Sequence, residues 1–538
     1  MKTTIKLLVL LFTTGLATGC GGGGGGEGEG FSFDESKLNK TQVIHTNDQA
    51  SFLKYTQTAG KSYYSITSNE LNGFNARGNT NVSTPNKVTL EWGYDVPRGK
   101  EVERYDITIG QKQDLSDGFV IRGTSDNELS FYNSYIGDNY FKVTAVFTDG
   151  KSEDSDIGMF KVEDIAPRNL YVGNMPNCRD MGGRTTVAGG KLKQGLIYRT
   201  SGSRFDNNTP SNDEAKQILR EQLRVKTEIN VSNNDSNTVS LDGTTVQNCY
   251  MVYGSVPYSN LARNSVRVRQ IMDILADENN YPVYYHCRIG TDRTGITGMM
   301  INGLLGVEFE ECLQDYLFSN FAPIDNQRYP GKTPDNNGDD IKKYIDELIA
   351  LPGATFQEKV YLALRMIGVP AAKLDKIIDI MTIGTKATIP VTAKIGQDSD
   401  LTSTGTKKTS TDFKTPASYY EVASSKSVSY TATTTAGQKD VIVYIGTTQN
   451  VTTSTTKKLS ADLSLKIDGT EQTISNTKNI WQAGLGHNTQ DNGRDGYMFS
   501  ILGNYSFTAG SHTIEVGVKG SGVTYHIATV AVVDRAAA

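Results

Sequence analysis

The chain has 538 residues and a formal net charge of −5, with 54 basic and 59 acidic side chains mixed along its length. This length exceeds what one hydrophobic core usually holds, so we expect about three domains. The balanced charge excludes a broad basic surface of the kind that binds nucleic acid, and nucleic acid is therefore not an expected partner. Any phosphate-binding pocket must be a local feature.

The N-terminus has the order of a bacterial export signal. Two lysines precede an apolar run from Leu7 to Phe12 that is too short to span a membrane. Residues 1–20 are similar to lipoprotein signals, in which Cys20 would carry the lipid, although Ala17 stands where leucine is commoner; the alternative is an ordinary cleaved signal. The glycine-rich segment 21–30 is typical of a flexible tether. These features predict an exported protein, attached to the cell envelope, at the periplasmic or surface face of the outer membrane, by its lipid anchor only.

Residues 31–165 are expected to form an N-terminal β-sandwich. From residue 61 onwards, polar and apolar residues alternate in runs such as NKVTLEWGYD, with turn residues between the runs. Residues 31–60 show no firm pattern. Trp92 and the alternating run from Tyr140 to Val146 resemble a fibronectin type III domain, a resemblance that implies an architecture and no activity.

Residues 166–382 have the pattern of an α/β domain. Short apolar strands such as GLIYR and PVYYHC alternate with amphipathic helical segments, which predicts a mainly parallel sheet covered by helices. Ligands of such sheets bind beyond the carboxyl ends of the strands. The segment HCRIGTDRTG, residues 286–295, lies at such an end.

Residues 383–538 are predicted to form a second all-β sandwich, because the helical patterns stop and strand patterns separated by Ser/Thr-rich stretches begin. The run GSHTIEVGV at 510–518 is similar to a late strand of carbohydrate-binding jelly rolls. That resemblance implies a glycan or other cell-surface ligand. The turn-rich segment 486–496 is either a binding loop or an ordinary surface loop.

The mature chain contains four scattered cysteines, too few for a disulfide framework in a chain of this length. They are Cys178, Cys249, Cys287 and Cys312. No CxxC pair or HExxH motif occurs, so neither a metal site nor a cofactor is expected.

Cys287 has the surroundings of a nucleophile that acts on phosphate. It follows an apolar strand and precedes a loop that enters a helix-like run. Backbone N–H groups in such a loop can surround phosphate oxygens at the positive end of the helix dipole, and we expect residues 288–291 to bind substrate in this way. The same field favours a thiolate: free cysteine has a pKa of about 8.5, and cysteines at such sites have values of about 3.5–7.5.

The residues around Cys287 fit the same chemistry. Arg293 offers a planar fork that grips two phosphate oxygens, together with Arg288 nearby. Thr294 can donate its hydroxyl to the departing sulfur. His286 is expected to orient the loop, and Gly290 permits a backbone conformation that a side chain would hinder.

With HCRIGTDRTG, the sequence resembles the Cys-dependent protein tyrosine phosphatases. A second stretch, NCRDMGGRTTVAGGKLKQGLIYRT at 177–200, resembles the opening motif of the bacterial secreted members, some of which are lipoproteins. The resemblance covers about 210 residues and implies Cys287 as nucleophile and Arg293 as phosphate binder. It also implies Asp292 as general acid, although a carboxylate at this helix end could instead pair with an arginine.

The sequence departs from the family at several positions. Thr291 replaces a lysine that the family associates with phosphoinositide substrates. Asn230 and Ser232 stand where many members have an acidic strand end, unless Asp235 replaces that acid. A weak acid favours aryl phosphates, because a phenolate leaves more easily than an alkoxide.

Two further residues of the opening motif, Arg179 and Asp180, are expected to brace the loop as an ion pair. Cys178 is either a small buried residue or a partner of Cys287 or Cys249 on oxidation.

Three functions remain open. The first is a metal-independent phosphatase that hydrolyses phosphomonoesters, most of all phosphotyrosine in proteins, through a phosphocysteine. The second is a phytase-like inositol-polyphosphate phosphatase, which a strongly basic rim would favour. The third is a surface lipoprotein that binds glycan or phosphate with weak turnover.

Overall fold

A computed structural model describes residues 30–79, 84–203, 212–232, 238–239, 241–251, 261–330, 341–390, 393–412, 415–452, 454–488 and 494–535. The signal segment, Cys20, the glycine tether, Asp235 and residues 489–493 of the predicted binding loop lie outside these ranges. No helix within the described ranges has the length and hydropathy needed to cross a membrane.

The molecule has a central α/β domain flanked by two all-β sandwiches, as the sequence predicts. The N-terminal elements are β1 (Phe31–Ser32), α1 (Glu35–Leu38), α2 (Asn47–Leu53), α3 (Tyr55–Ala59), α4 (Ser68–Gly73), β2 (Val88–Glu91), β3 (Gly93–Tyr94), β4 (Val102–Gly110), β5 (Phe119–Arg122), β6 (Glu128–Phe131), β7 (Gly137–Phe147), β8 (Ser152–Asp154) and β9 (Gly158–Val162). Strands β5, β4, β7, β8 and β9 form one sheet, and β2 pairs with β6 in the other. Buried side chains of both sheets, Trp92 among them, form the core.

The prediction that the alternating sandwich pattern begins at residue 61 is wrong. Residues 35–73 contain four short helices instead, two of which start with capping boxes, at Thr46 with Gln49 and at Thr67 with Glu70. Apolar side chains of this segment, among them Phe52, pack into the core of the central domain and not into the sandwich. These helices have only four to seven residues, so their sequences show no clear period that would distinguish them from strands.

The central domain contains β10 (Arg168–Asn169), β11 (Arg179–Asp180), β12 (Lys191–Leu192), β13 (Ile197–Thr200), α5 (Asp213–Gln217), β14 (Thr227–Asn230), β15 (Thr245–Asn248), α6 (Ser265–Leu275), β16 (Val283–His286), α7 (Asp292–Leu304), α8 (Phe309–Phe318), α9 (Ile341–Ile349), α10 (Phe356–Met366), α11 (Ala371–Met381) and β17 (Thr382–Ile383). Its main sheet has the order β10-β11-β13-β16-β14-β15. The four strands from β13 to β15 are parallel, and β10 and β11 are antiparallel additions at one edge.

Strand β16 lies in the middle of this sheet and is buried on both faces. All four of its residues are buried. Val283 and Tyr285 pack into the large core beneath α6 and α7, whereas Tyr284 packs into a separate cluster with α5. A central parallel strand covered on both sides holds its carboxyl end firmly, and Cys287 follows that end.

The C-terminal domain contains β18 (Ala393–Gln397), β19 (Leu401–Ser403), β20 (Thr406–Thr409), β21 (Ser418–Val422), β22 (Ser427–Thr434), β23 (Gly437–Thr447), α12 (Leu459–Asp462), β24 (Leu463–Ile467), β25 (Thr470–Gln472), β26 (Gly486–Asn488), β27 (Arg494–Phe507), β28 (Gly510–Val518) and β29 (Tyr525–Asp534). Seven and five antiparallel strands form its two sheets. In β23, Val441 and Val443 face the sandwich core, and Ile442 and Tyr444 face the central domain. At β23, the seven-stranded sheet is therefore buried on both faces.

Candidate active site

The residues from 286 to 294 form one compact turn between β16 and α7. Cys287 is 2% exposed, and its backbone N–H donates to the hydroxyl of Thr294 at 2.7 Å. Arg293 lies buried in the first turn of α7, six residues after the cysteine. The loop thus brings the predicted nucleophile, phosphate binder and hydroxyl together at the N-terminus of a buried helix.

The loop carries a run of backbone donors. Four successive N–H groups, those of Arg288, Ile289, Gly290 and Thr291, donate a hydrogen bond to no other described residue. Buried or partly buried N–H groups rarely stay without acceptors. Four of them in sequence, beside a helix N-terminus, can bind the oxygens of an anion such as phosphate.

The loop backbone has little freedom at Gly290. This residue has a φ of +73°, and a Cβ atom there would lie 2.5 Å from the carbonyl oxygen of Thr200. Both the left-handed conformation and the close approach require glycine. Asn177 holds the outside of the same turn, because its Nδ2 donates to the carbonyl oxygens of Ile289 and Gly290 at 3.2 and 3.0 Å.

A buried charge cluster supports the loop from below. Nε of Arg179 lies 2.8 Å from Oδ1 of Asp315, and Nη1 of Arg199 contacts Oδ2 of the same carboxylate. Arg199 also donates from Nη2 to the carbonyl oxygen of Gly290 at 2.8 Å, and Arg179 donates to the side-chain oxygen of Asn177. Asp315 therefore holds two arginines that in turn hold the loop.

The electrostatic balance of this cluster rests on Asp315. Burial alone would raise the pKa of this carboxyl, but the charges of Arg179, Arg199 and Arg184 outweigh burial and hold its pKa well below the usual range. Burial and the neighbouring charge of Arg199 lower the pKa of Arg179 to about 10. The carboxylate of Asp315 thus supplies the negative charge that stabilises the buried arginines.

The expected ion pair between Arg179 and Asp180 is wrong. Adjacent residues of a strand point to opposite faces of the sheet. Arg179 accordingly pairs with Asp315 on one face, whereas Asp180 pairs on the other with Arg168, whose Nη2 is 3.2 Å from Oδ2. Arg179 braces the loop, and Asp180 ties β11 to β10 and β13.

His286 lies on the opposite face of β16 from the residue pair Val283 and Tyr285. It is fully buried, its Nδ1 contacts the carbonyl oxygen of Cys287 at 3.0 Å, and its Nε2 contacts Oε1 of Glu228 at 2.9 Å. Its contacts are those of a residue that orients the loop.

The mouth of the site carries two ion pairs. Arg328 contacts both carboxylate oxygens of Asp292, at 2.9 and 3.1 Å. Arg288 contacts Asp325 at 2.8 Å at a more exposed position. Arg328 and Arg288 are thus each matched by a carboxylate.

The segment that supplies Asp325 and Arg328 is held by the N-terminal region. Gly78 exchanges backbone hydrogen bonds with it, donating to Asn320 O at 2.8 Å and accepting from Ile324 N at 3.1 Å. Gln327 donates to the carbonyl oxygen of Ala76 at 2.7 Å. Residues outside the central domain therefore shape one wall of the site.

The oxidised pairs considered for Cys178 are not formed, and the four described cysteines are free. One strand, β13, separates β11, which follows Cys178, from β16, which precedes Cys287. Three strands separate β11 from β15, which precedes Cys249, so Cys178 and Cys249 lie farther apart still. Two strand spacings are about 10 Å, whereas disulfides join Cα atoms less than about 7 Å apart. Burial raises the pKa of Cys178 and of Cys249 to about 12, as expected for small buried residues.

Sequence reasoning missed four residues of the site. They are Arg199, Glu228, Asp315 and Arg328. Two of them carried a signal, since a carboxylate stands in the short strand TEIN and another in the largely apolar helix segment ECLQDYLF. Within the described ranges, no group of three or more His, Cys, Asp or Glu side chains is placed to hold a metal ion.

Comparison with known proteins agrees with this geometry. Residues 170–382 match the profile of the tyrosine phosphatase family, and the matched region contains the whole loop, which supports a phosphatase. A search of curated proteins finds no match.

Solved structures resemble single domains of the chain. The core catalytic domain of the PP-IP phosphatase from S. cerevisiae is 20% identical with a TM-score of 0.20, over 27% of this chain and 77% of that one. A family 35 carbohydrate binding module from Clostridium thermocellum is 12% identical with a TM-score of 0.20, over 26% of this chain and 96% of that one. The CBM36-1 domain of a multidomain xylanase from the hindgut metagenome of Trinervitermes trinervoides is 17% identical with a TM-score of 0.19, over 27% of this chain and 99% of that one.

Proposed function

We propose that the protein is a phosphatase that hydrolyses phosphate monoesters, above all protein phosphotyrosine, through a phosphocysteine intermediate. The observation that carries the proposal is the set of four loop N–H groups at 288–291 that have no acceptor among the described residues, directly after Cys287 and at the N-terminus of α7. Arg293 in the same turn adds a guanidinium that matches the charge of a phosphoryl group. The loop and this arginine supply the positive charge, so the reaction needs no metal ion or other cofactor.

The reaction has two displacements. Sγ of Cys287 attacks phosphorus in line, the S–P bond forms, and the P–O bond to the leaving group breaks. Water then attacks phosphorus, the S–P bond breaks, and inorganic phosphate leaves. The loop N–H groups and Arg293 hold the equatorial oxygens in both steps, and the hydroxyl of Thr294 stabilises the departing thiolate. Asp292 gives its proton to the leaving oxygen in the first step and takes one from water in the second.

Two observations favour phosphotyrosine over inositol polyphosphates. Arg288 and Arg328 are each paired with a carboxylate, which reduces the positive charge that these two arginines can offer to a polyphosphate. Thr291 occupies the place of the lysine that the family associates with phosphoinositides. A phenolate also leaves with little help from an acid, which suits an Asp292 that is engaged by Arg328.

We also propose that the protein acts at the cell envelope, attached through a lipid on Cys20, where its C-terminal sandwich binds a glycan or another surface ligand. The support is the order of basic, apolar and small residues before Cys20 and the similarity of residues 510–518 to a strand of carbohydrate-binding jelly rolls. In this role the sandwich would keep the phosphatase near its substrates.

Phosphate release by the purified protein tests the proposal. The substrates are a phosphotyrosine peptide, a phosphoserine peptide, a phosphoinositide and inositol hexakisphosphate, each assayed with and without a chelator. We expect turnover of the phosphotyrosine peptide that survives chelation, disappears in Cys287→Ser and persists in Cys312→Ser, a change at a buried cysteine of α8 outside the loop. Inositol hexakisphosphate as the preferred substrate would support the phytase-like alternative. Binding of vanadate without turnover of any substrate would overturn the enzyme and favour a binding lipoprotein.

A further inference from the structure

Glu228 and His286 form a buried pair behind the catalytic loop. They lie on neighbouring parallel strands, where the register sets Glu228 beside Tyr284 and Asn230 beside His286. Side chains two residues apart on a strand share a face, so all four point away from the core beneath α7. Both members of the pair are fully buried, and Nε2 of His286 lies 2.9 Å from Oε1 of Glu228.

The hydrogen bonds of the ring determine where its protons lie. The carbonyl oxygen of Cys287 only accepts hydrogen bonds, so Nδ1 of His286, 3.0 Å away, must carry a proton. The remaining proton is shared between Nε2 and the carboxylate. Oε1 of Glu228 also accepts the backbone N–H of Val239 at 2.9 Å, which stabilises the ionised carboxylate.

Each ring nitrogen of His286 faces an acceptor. Burial alone would raise the pKa of Glu228, but its hydrogen bond to His286 outweighs burial and lowers it. An ionised carboxylate only accepts hydrogen bonds, so the 2.9 Å contact makes Nε2 a donor. The ring is thus fixed between the carboxylate of Glu228 and the backbone of the nucleophile.

We infer that Glu228 is a positioning residue of this phosphatase: through Nε2 it holds His286 as an oriented imidazolium, and the imidazolium in turn holds the Cys287 carbonyl and favours the thiolate. The inference rests on the proposed function and adds a residue to it. Glu228 touches neither substrate nor sulfur and acts only through the ring.

Other ionisable groups face this pair and are not its equivalents. Tyr284 stacks on the ring of His286 at 5.5 Å, and burial together with the charge of Glu228 raises its pKa well above the ordinary value, so it stays neutral. Cys178 lies beyond Tyr284 and is neutral for the same reason of burial. On the loop side, Arg199 lies close enough to Cys287 for their charges to interact. Its charge does not change between pH 4 and 9.

The test measures the thiol directly. The rate of alkylation by iodoacetamide is followed between pH 4 and 9, with Cys287→Ser as the blank for other cysteines. In Glu228→Gln, which preserves size and loses the charge, we expect the midpoint of reactivity to rise by about one pH unit, which makes alkylation about tenfold slower below the midpoint. The acidic limb of kcat/KM should move by the same amount. Glu347→Gln, which removes another buried carboxylate that is remote from the loop, should leave the midpoint unchanged.

A double variant shows whether the effect passes through the ring. Asn at position 286 keeps a donor for the Cys287 carbonyl and cannot reach Glu228, so Glu228→Gln should add no further shift in the His286→Asn background. Full additivity of the two shifts would overturn the inference. So would an unchanged midpoint in Glu228→Gln, and neither result depends on turnover of any substrate.

The unaltered protein provides a second measurement in case Glu228→Gln does not fold. Five histidines are present, and ¹⁵N labelling of their rings with the His286→Asn variant for assignment identifies the signals of His286. We expect both ring nitrogens of His286 to be protonated at pH 7. A neutral ring at that pH would overturn the inference.

Discussion

Arg328 holds Asp292 with two hydrogen bonds, from Nε to Oδ1 at 2.9 Å and from Nη2 to Oδ2 at 3.1 Å. The hydroxyl of Tyr316 adds a longer contact to Oδ1 at 3.4 Å. Asp292, the predicted general acid, therefore also anchors Arg328 in the wall of the site. These two roles make different predictions.

If Asp292 supplies the proton, Asp292→Asn lowers kcat for a phosphotyrosine peptide by about 10²- to 10⁴-fold. The loss should be much smaller for 2,4-dinitrophenyl phosphate, because that leaving group departs without a proton. Steady-state rates on the two substrates measure this difference. Equal losses on both would instead assign Asp292 to anchoring Arg328.

Arg328→Gln provides a second test of whether Asp292 supplies a proton or only anchors Arg328. The change leaves the carboxylate and removes both of its hydrogen bonds to Arg328. If Asp292 only anchors Arg328, Arg328→Gln should lower both rates as much as Asp292→Asn does. If Asp292 supplies the proton, Arg328→Gln should lower the rate on the phosphotyrosine peptide less than Asp292→Asn does, because the acid is still present. Arg77→Gln, at an exposed position of the N-terminal wall, is the matched control and should leave both rates unchanged.

Asp315→Asn should strongly destabilise the central domain. It leaves the buried side chains of Arg179 and Arg199 without their counter-charge, and breaking such a buried pair typically costs about 3–5 kcal/mol. Urea unfolding at pH 7 measures the loss. Asp273→Asn removes an exposed ion pair with Lys373 and should cost less than about 1 kcal/mol. Similar losses in both variants would contradict the structural role given to Asp315.

Glu347 should make stability fall as pH rises. It is buried in α9, its carboxylate oxygens have no hydrogen-bond partner in good geometry among the described residues, and burial raises its pKa from 4.5 to about 8. The folded state therefore binds more protons than the unfolded state between those two values. Stability attributable to this group is highest below pH 4.5 and declines, by at most about 1.4 kcal/mol per pH unit, up to about pH 8.

Glu347→Gln should remove that decline. Thermal unfolding is measured at pH 5 and pH 8. The melting temperature of the variant should exceed that of the unaltered protein by a larger margin at pH 8 than at pH 5. Glu278→Gln, at an exposed carboxylate paired with Lys376, serves as the control. If this difference in melting temperature did not increase with pH, ionisation of Glu347 would not destabilise the folded state.

The central domain alone should be less stable than the whole described chain. Its core is continued by Phe52 and Leu71 from the N-terminal region and by Ile442 and Tyr444 from the C-terminal sandwich. Tyr444 also donates a hydrogen bond to the carbonyl oxygen of Ala262. Each large apolar side chain that loses its cover forfeits about 1.5–3 kcal/mol.

Melting temperatures of fragments 166–382 and 30–535 check this expectation. We expect a lower value, or aggregation, for the shorter fragment. Equal melting temperatures would show that the flanking contacts contribute nothing to the stability of the central domain.

The close grouping of Cys287, Arg293 and Thr294 was predictable, because these residues lie in one short stretch of the chain; their catalytic roles stay predictions. Cys287 and Thr294 are seven residues apart, and a loop between a strand and a helix has few ways to arrange that interval. The parallel sheet and both sandwiches were also predictable, since periodicity and the alternation of strands with helices are local properties. The segment at 35–73 was assigned wrongly because its helices are too short for a clear period, although two capping boxes marked their starts.

The order of amino acids establishes which groups the loop contains and the class of each domain. Which charges meet depends on the folded chain: Arg179 pairs with Asp315, 136 residues later, and Glu228 faces His286 from the neighbouring strand. Such partners are set by strand register and by the faces that the helices bury, and both result from the packing of the whole chain. Each buried charge pairs with the opposite charge that this packing places beside it. A buried charge without any partner costs far more free energy than pairing with one partner rather than another.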